Sequence, residues 1–247
     1  MSSIETLTEE SERRPRIVHL PFHHFWTHEH GLTAFLVFLI LVLFCAPVVS
    51  LRPWEKLVFG LIFSFTLLSG AVVTSGNRKV TAVIGILVTA NLALHWTTIY
   101  RPGLTYPIAE TALGLCCMAA FVGVTMTQVF HSGRVDAQRI IGAIAAYLLV
   151  AWTWAFAYRL VNEISPGAIL FDPAKDFVGG PMAHYIYFSF STLTTSSFGD
   201  VYPHHPAART LAMAEALVGQ LYPAILIGRL VGMTLQRSTS RTQTDPD

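Results

Sequence analysis

Tyr187-Phe188-Ser189-Phe190-Ser191-Thr192-Leu193-Thr194-Thr195-Ser196-Ser197-Phe198-Gly199-Asp200-Val201-Tyr202-Pro203 is the stretch that decides how this chain is read. It opens on the end of an apolar run (182–193) too short to cross a bilayer, whose hydrocarbon core requires roughly 20 apolar residues per helix. It passes through four consecutive hydroxyl residues, Thr194 to Ser197, into a Phe-Gly-Asp turn, and a long apolar run follows. Non-helical backbone at membrane depth is tolerated only where protein or a water-filled cavity surrounds it. The stretch therefore reads as a re-entrant excursion rather than a span.

The rest of the sequence supplies the membrane. Of 247 residues, 53% are apolar and 13% charged, and the charges fall in short interruptions between apolar runs, which excludes a soluble globular domain. These runs occupy residues 32–49, 54–74, 80–98, 107–130, 140–160 and 207–233. They predict an all-α membrane protein of six transmembrane helices, with a re-entrant helix and loop between the fifth and sixth. Punctuation such as Ser50-Leu51-Arg52-Pro53 and Arg101-Pro102-Gly103 separates them. Cys45, Cys116 and Cys117 all lie inside apolar runs, so neither a disulfide framework nor a structural zinc site is read. A net charge of +1 without a basic stripe gives no nucleic-acid surface. The first apolar run begins without a cleavable signal pattern, so no removable signal peptide is expected.

Arginine and lysine set the orientation. Arg13, Arg14, Arg16, Arg78, Lys79, Arg134, Arg139, Arg237 and Arg241 fall on one side, against Arg52, Lys56, Arg101, Lys175 and Arg209 on the other. Both termini are expected in the cytoplasm of a multi-pass cell-membrane protein, with the re-entrant loop opening outward. Trp26, Trp54, Trp96, Tyr100, Tyr106, Tyr158 and Tyr202 sit near predicted span ends, where aromatic belts form. Arg159 and Arg229 lie close enough to helix ends to snorkel.

The short run 182–193, the Thr195-Ser196-Ser197-Phe198-Gly199-Asp200 stretch and the final helix together resemble the pore loop of potassium channels. The filter in that family reads T-x-G-[YF]-G-D, and its backbone carbonyls replace the hydration shell of the ion. The run Gly219-Gln220-Leu221-Tyr222-Pro223, continuing to Val231, is similar to the inner helix of small six-span prokaryotic potassium channels of the ion-transport type. The resemblance covers residues 183–231, about a fifth of the chain. It implies a homotetramer in a lipid bilayer, passive cation flux and no covalent chemistry. It implies no catalytic residues and no cofactor other than permeant potassium ions. Residues Thr195, Ser196, Ser197, Phe198 and Gly199 are then the ion filter, supported by Asp200, Thr194 and Glu215. Gly219 and Pro223 are candidates for a hinge in the inner helix, since proline removes a helical hydrogen bond.

Ser197 replaces the first filter glycine of that family. Glycine reaches positive φ without steric cost, whereas a serine there costs roughly 1–2 kcal/mol. Two outcomes stay open from sequence: a wider, non-selective monovalent cation filter, or a Ser197 held in place with potassium preference kept. The fourth run, 107–130, has no lysine or arginine, which excludes an arginine-based voltage sensor there. The expected organisation is an N-terminal cytoplasmic segment (1–30), a peripheral four-helix bundle (31–131), a pore domain (138–234) and a short cytoplasmic tail (235–247). No soluble ligand-binding domain is expected in this chain.

Ionisable groups inside spans are costly and mark roles. His95 and Glu110 match in depth on adjacent spans, and Asn91 shares the His95 face, which predicts a paired clamp, structural or proton-sensing. Glu215 falls at filter height, placed to brace the pore helix or Thr194 from behind. His204 and His205 follow the filter and are solvated turn residues or a protonatable ring at the outer mouth. His19, His23, His24, His28 and His30 crowd the N-terminal segment. Their H-x-x-x-H-H spacing resembles one histidine box of membrane di-iron desaturases, so a di-metal oxidase stands as the contrasting class. The plainer reading is an interfacial helix anchored by Phe22, Phe25 and Trp26. A non-conducting membrane subunit is the other alternative.

Overall fold

The computed structural model describes residues 31–49, 61, 64, 78–100, 106–130, 137–172 and 180–243. They form α1 (Gly31–Val49), α2 (Arg78–Tyr100), α3 (Pro107–Phe130), α4 (Ala137–Ile164), β1 (Ile169–Phe171), α5 (Pro181–Leu193), β2 (Val201–Pro203) and α6 (Pro206–Gln243). Four of these helices are long and apolar enough to cross a membrane: Lys79–Thr98, Pro107–Thr127, Arg139–Ile164 and Pro206–Arg229. The architecture is that of an all-α membrane protein. The apolar run 54–74 and the N-terminal histidine cluster lie outside the described residues, apart from Leu61 and Ser64.

Helices α3, α5 and α6 each begin on a proline, Pro107, Pro181 and Pro206. Proline suits the first turn because its missing N–H is one of the donors a helix leaves unused there. Within the spans, Thr89, Thr98, Thr153 and Thr210 donate to carbonyls four residues back, so each hydroxyl is satisfied inside its own helix.

Helix α4 is the hub, with α1, α3, α5 and α6 packed against it. Its alanines 145, 146, 151 and 155 are fully buried, and small residues let helix backbones approach closely where lipid removes the usual hydrophobic drive. At the α3–α4 crossing, a Cβ on Gly114 would run into the Phe156 ring. One apolar cluster joins Phe35 and Leu39 of α1, Met118 and Phe121 of α3, Leu149 and Trp152 of α4, and Ile186 and Phe188 of α5. Helix α2 packs on α3 and leaves Val83 and Ile86 outward.

Several sequence expectations change here. Tyr158 is no belt residue: it is completely buried between α4 and α6. Arg159 pairs with Glu163 one turn on, Nε to Oε1 2.8 Å. Arg229 donates to the Phe130 carbonyl and stacks its guanidinium 4.9 Å over the Phe130 ring, tying α6 to the end of α3. Helix α6 runs past residue 233 to Gln243, so the segment read as a tail is helical as far as it is described. The ribbon of β1 and β2 was not legible; it pairs Ile169 with Pro203, Leu170 with Tyr202 and Phe171 with Val201.

Candidate functional site

Residues 194–200 hang between the C-terminus of α5 and β2, and a frame from four elements holds them. At the Asp200 end, the β1–β2 ribbon closes the excursion. His204 N and His205 N both donate to the Ala168 carbonyl, at 2.8 and 3.1 Å, and Asp172 N donates to Asp200 O at 2.9 Å. Asn162 at the end of α4 ties this ribbon to α5. Its Oδ1 accepts from Ile169 N at 3.1 Å, and its Nδ2 donates to the Tyr185 hydroxyl at 2.8 Å.

Asp200 is 9% exposed, and Tyr187 on α5 donates to its Oδ2 at 2.8 Å. Burial, then the hydrogen bond and negative charge of Asp200, push the Tyr187 phenol up to about 12, so it stays a donor through neutral pH. The Tyr187 ring also stacks on Phe198, centroids 6.0 Å apart and 17° between planes.

Inside the segment, positive φ falls on alternate residues: Thr195 at 57°, Ser197 at 36° and Gly199 at 75°. Such alternation brings successive carbonyls to one side of a chain, and L-residues adopt it at a cost. Nothing lies within 4 Å of a Cβ placed on Gly199, so its conformation rather than its space calls for glycine. The bend is held from behind: Ser196 N and Ser197 N both donate to the Ser191 carbonyl, at 2.9 and 3.3 Å. Thr194 caps α5, with its hydroxyl 2.7 Å from Phe190 O and 3.0 Å from Ser196 Oγ. Residues 194 to 199 are exposed, Phe198 to 66%.

The frame behind α5 is polar where lipid-buried structure is usually apolar. Glu215 of α6 is completely buried; Tyr158 of α4 donates to its Oε2 at 2.6 Å, and Ser189 of α5 lies 2.5 Å from its Oε1. Ser189 Oγ also lies 2.7 Å from the Ala151 carbonyl. A serine hydroxyl has one proton. It donates to Ala151 or to Glu215, and both contacts are hydrogen bonds together only when the Glu215 carboxyl carries a proton and donates to Ser189. The geometry is complete for a neutral carboxylic acid joining three helices. Glu215 thus contacts Ser189, while Thr194 bonds elsewhere.

Gly219 meets α5 one turn further on: a Cβ there would run into the Leu193 carbonyl. Tyr147 donates to the same carbonyl at 3.4 Å and stacks on Tyr222, whose hydroxyl donates to Ala143 O at 2.8 Å. Pro223 lies inside the continuous helix α6. Gln220 Nε2 donates to Thr195 Oγ1 at 3.1 Å.

Away from this segment, His95 Nδ1 and Glu110 Oε1 are 2.7 Å apart, and Asn91 Nδ2 donates to the Glu110 carbonyl at 3.3 Å, joining α2 to α3. Thr111 donates to Glu163 Oε1 at 3.0 Å, which joins α3 to α4. His204 and His205 are exposed at the turn between β2 and α6. Among the described residues no group of three His, Cys, Asp or Glu side chains is placed to hold a metal ion.

Sequence reading gave no role at this site to Ser189, Tyr158, Tyr187, Tyr147 or Gln220. The signal available for the last was its place directly after Gly219, in the run similar to a channel inner helix. For the others, the partners lie 13 to 57 residues away in sequence, beyond any local pattern.

A protein-family model described as an ion channel matches residues 142–236, from α4 through the 194–200 segment into α6. No curated protein matches the chain. The matched part carries the whole frame described above, so this region of the protein is similar to an ion-channel domain set in a helical membrane protein.

Proposed function

We propose that the chain is one subunit of a passive, potassium-conducting cation channel in a cell membrane, not an enzyme. Four copies surround one axis, and residues 195–199 line it with backbone carbonyls. One observation carries this reading: the alternation of positive φ at Thr195, Ser197 and Gly199, between a pore helix and an anchored Asp200. The family match over the same residues supports it.

Helix α5 ends at the inner end of this filter, and a helix C-terminus carries roughly half a negative charge, which favours a cation there. Asp200 anchors the outer end, and Glu215 and Thr194 support the filter from behind. Gly219 and Pro223 place the bend of the inner helix. Residues 138–234 form the pore domain and 31–131 a peripheral bundle, with both termini cytoplasmic.

Ser197 stands at φ 36° with its N–H directed to the Ser191 carbonyl. That backbone has the handedness a glycine would give, which favours kept potassium preference. A non-selective filter is the second reading, favoured by the exposed hydroxyls of Ser196 and Ser197. His95–Glu110 and His204 with His205 are candidate proton-responsive groups.

Purified protein in liposomes loaded with potassium tests the proposal. Wild type is expected to release potassium down its gradient, and Phe198→Ala, which removes the stack on Tyr187, to abolish release. Wild-type liposomes as tight as empty ones would contradict the proposal.

A further inference from the structure

Gln220 sits exposed on α6, immediately after the glycine that lets this helix touch the end of α5. Its carboxamide donates to Thr195 Oγ1 at 3.1 Å, and the Thr195 hydroxyl donates to the Thr194 carbonyl at 2.7 Å. A hydroxyl has one proton and two lone pairs. Here the proton is committed to Thr194 and one lone pair to Gln220, so the rotor is fixed and a single lone pair remains for a cation. Thr195 stands at φ 57°, an uncommon conformation for a β-branched residue, and the contact from α6 helps to hold it there.

We propose that Gln220 is a positioning residue for the innermost cation site of the filter. It holds the Thr195 hydroxyl in the one orientation that offers a lone pair to a monovalent cation, and it makes that site depend on where α6 stands. The inference rests on the channel reading and goes beyond it, because it assigns cation preference to a side chain of the inner helix rather than to the filter segment alone.

The test is the potassium-to-sodium permeability ratio of single variants and a double variant in planar bilayers. Gln220→Met keeps the length of the side chain and removes the donor. The ratio is expected to change about five-fold, the worth of one ordinary hydrogen bond, with current still present. In a Thr195→Val background, which has no hydroxyl to position, Gln220→Met is expected to change nothing further. An unchanged ratio in the single variant overturns the inference, and so does an equal change in the Thr195→Val background, since a residue acting only through helix packing would give it.

Should Gln220→Met fail to yield a monodisperse protein, Gln220→Glu serves. Its ionised carboxylate accepts where the amide donated, draws the Thr195 proton away from Thr194, and is expected to change the ratio. The wild-type ratio in that variant overturns the inference. Cation flux in the wild type with an indifferent Gln220 sinks the inference alone. Absence of flux in the wild type sinks the channel reading and the inference with it.

Discussion

Tyr187 reaches from α5 to Asp200, hydroxyl to Oδ2 2.8 Å, and so links the helix to the far end of the 194–200 segment across 13 residues of sequence. Removing the donor with Tyr187→Phe keeps the ring that stacks on Phe198 and takes one hydrogen bond from a largely buried carboxylate. A hydrogen bond to a charged group is worth about 1.5–3 kcal/mol. Lower thermal stability in detergent and faster loss of flux are expected. The pH dependence has a definite sign: the phenol is raised to about 12, so the contribution is complete below the ordinary tyrosine value of about 10 and fades as pH rises toward 12. Wild type is therefore expected to lose stability over that alkaline interval, and Tyr187→Phe to lack this component, as thermal unfolding at stepped pH will read.

Glu215 separates charge from shape. A neutral acid and a glutamine share the same outline, and Glu215→Gln supplies a donor for Ser189 and an acceptor for Tyr158. That variant is expected to keep near wild-type stability and flux. Glu215→Ala takes the partner from the buried Tyr158 hydroxyl, leaves Ser189 with the Ala151 carbonyl alone and opens a void at a site with no solvent exposure, costing about 1–3 kcal/mol for the orphaned phenol. Unfolding midpoints of the two purified variants compare them; an equal loss in both would argue for an ionised Glu215.

Two glycines fail for different reasons. Gly199→Ala meets no neighbour, so its cost is conformational, about 1–2 kcal/mol for a left-handed L-residue, and it falls on the backbone of the proposed filter. Gly219→Ala meets the Leu193 carbonyl and must push α6 away from α5. The first is expected to reduce flux with assembly intact. The second is expected to reduce the yield of assembled protein as well, which size-exclusion chromatography and liposome flux together resolve.

Ser197→Gly runs the other way. The serine stands at φ 36°, and glycine accepts that conformation without the steric cost, so the variant is expected to gain about 1–2 kcal/mol. Flux is expected to be kept and the potassium preference kept or sharpened. A less stable variant would mean that the serine hydroxyl contributes more than its backbone costs.

Much of this architecture was legible. The run 107–130 coincides with α3 because Pro107 and the apolar composition both mark the start, and α5 begins one residue before the run 182–193, at Pro181. Helix α4 outlasts its apolar run at 160 because Arg159 and Glu163 pair one turn apart and Asn162 is satisfied by the ribbon. Strands of three residues carry too little pattern to be read, and Ile169 to Phe171 finds its partner only through the fold. Tyr158 shows the limit most plainly: near a span end, an aromatic reads as an interfacial anchor, and only the packing of α4 on α6 turns it toward Glu215. In the 194–200 segment, the residue types announced positive φ at Gly199, whereas Thr195 and Ser197 adopt it because the surrounding hydrogen bonds hold them there.

The most direct test of the central claim is the reversal potential of the purified protein in a bilayer with potassium on one side and sodium on the other. The expected value lies close to the potassium equilibrium potential, with Ser197 accommodated in a filter that keeps its preference. A value near zero with cations still preferred over chloride would contradict potassium selectivity, and a current carried equally by chloride would contradict the filter itself.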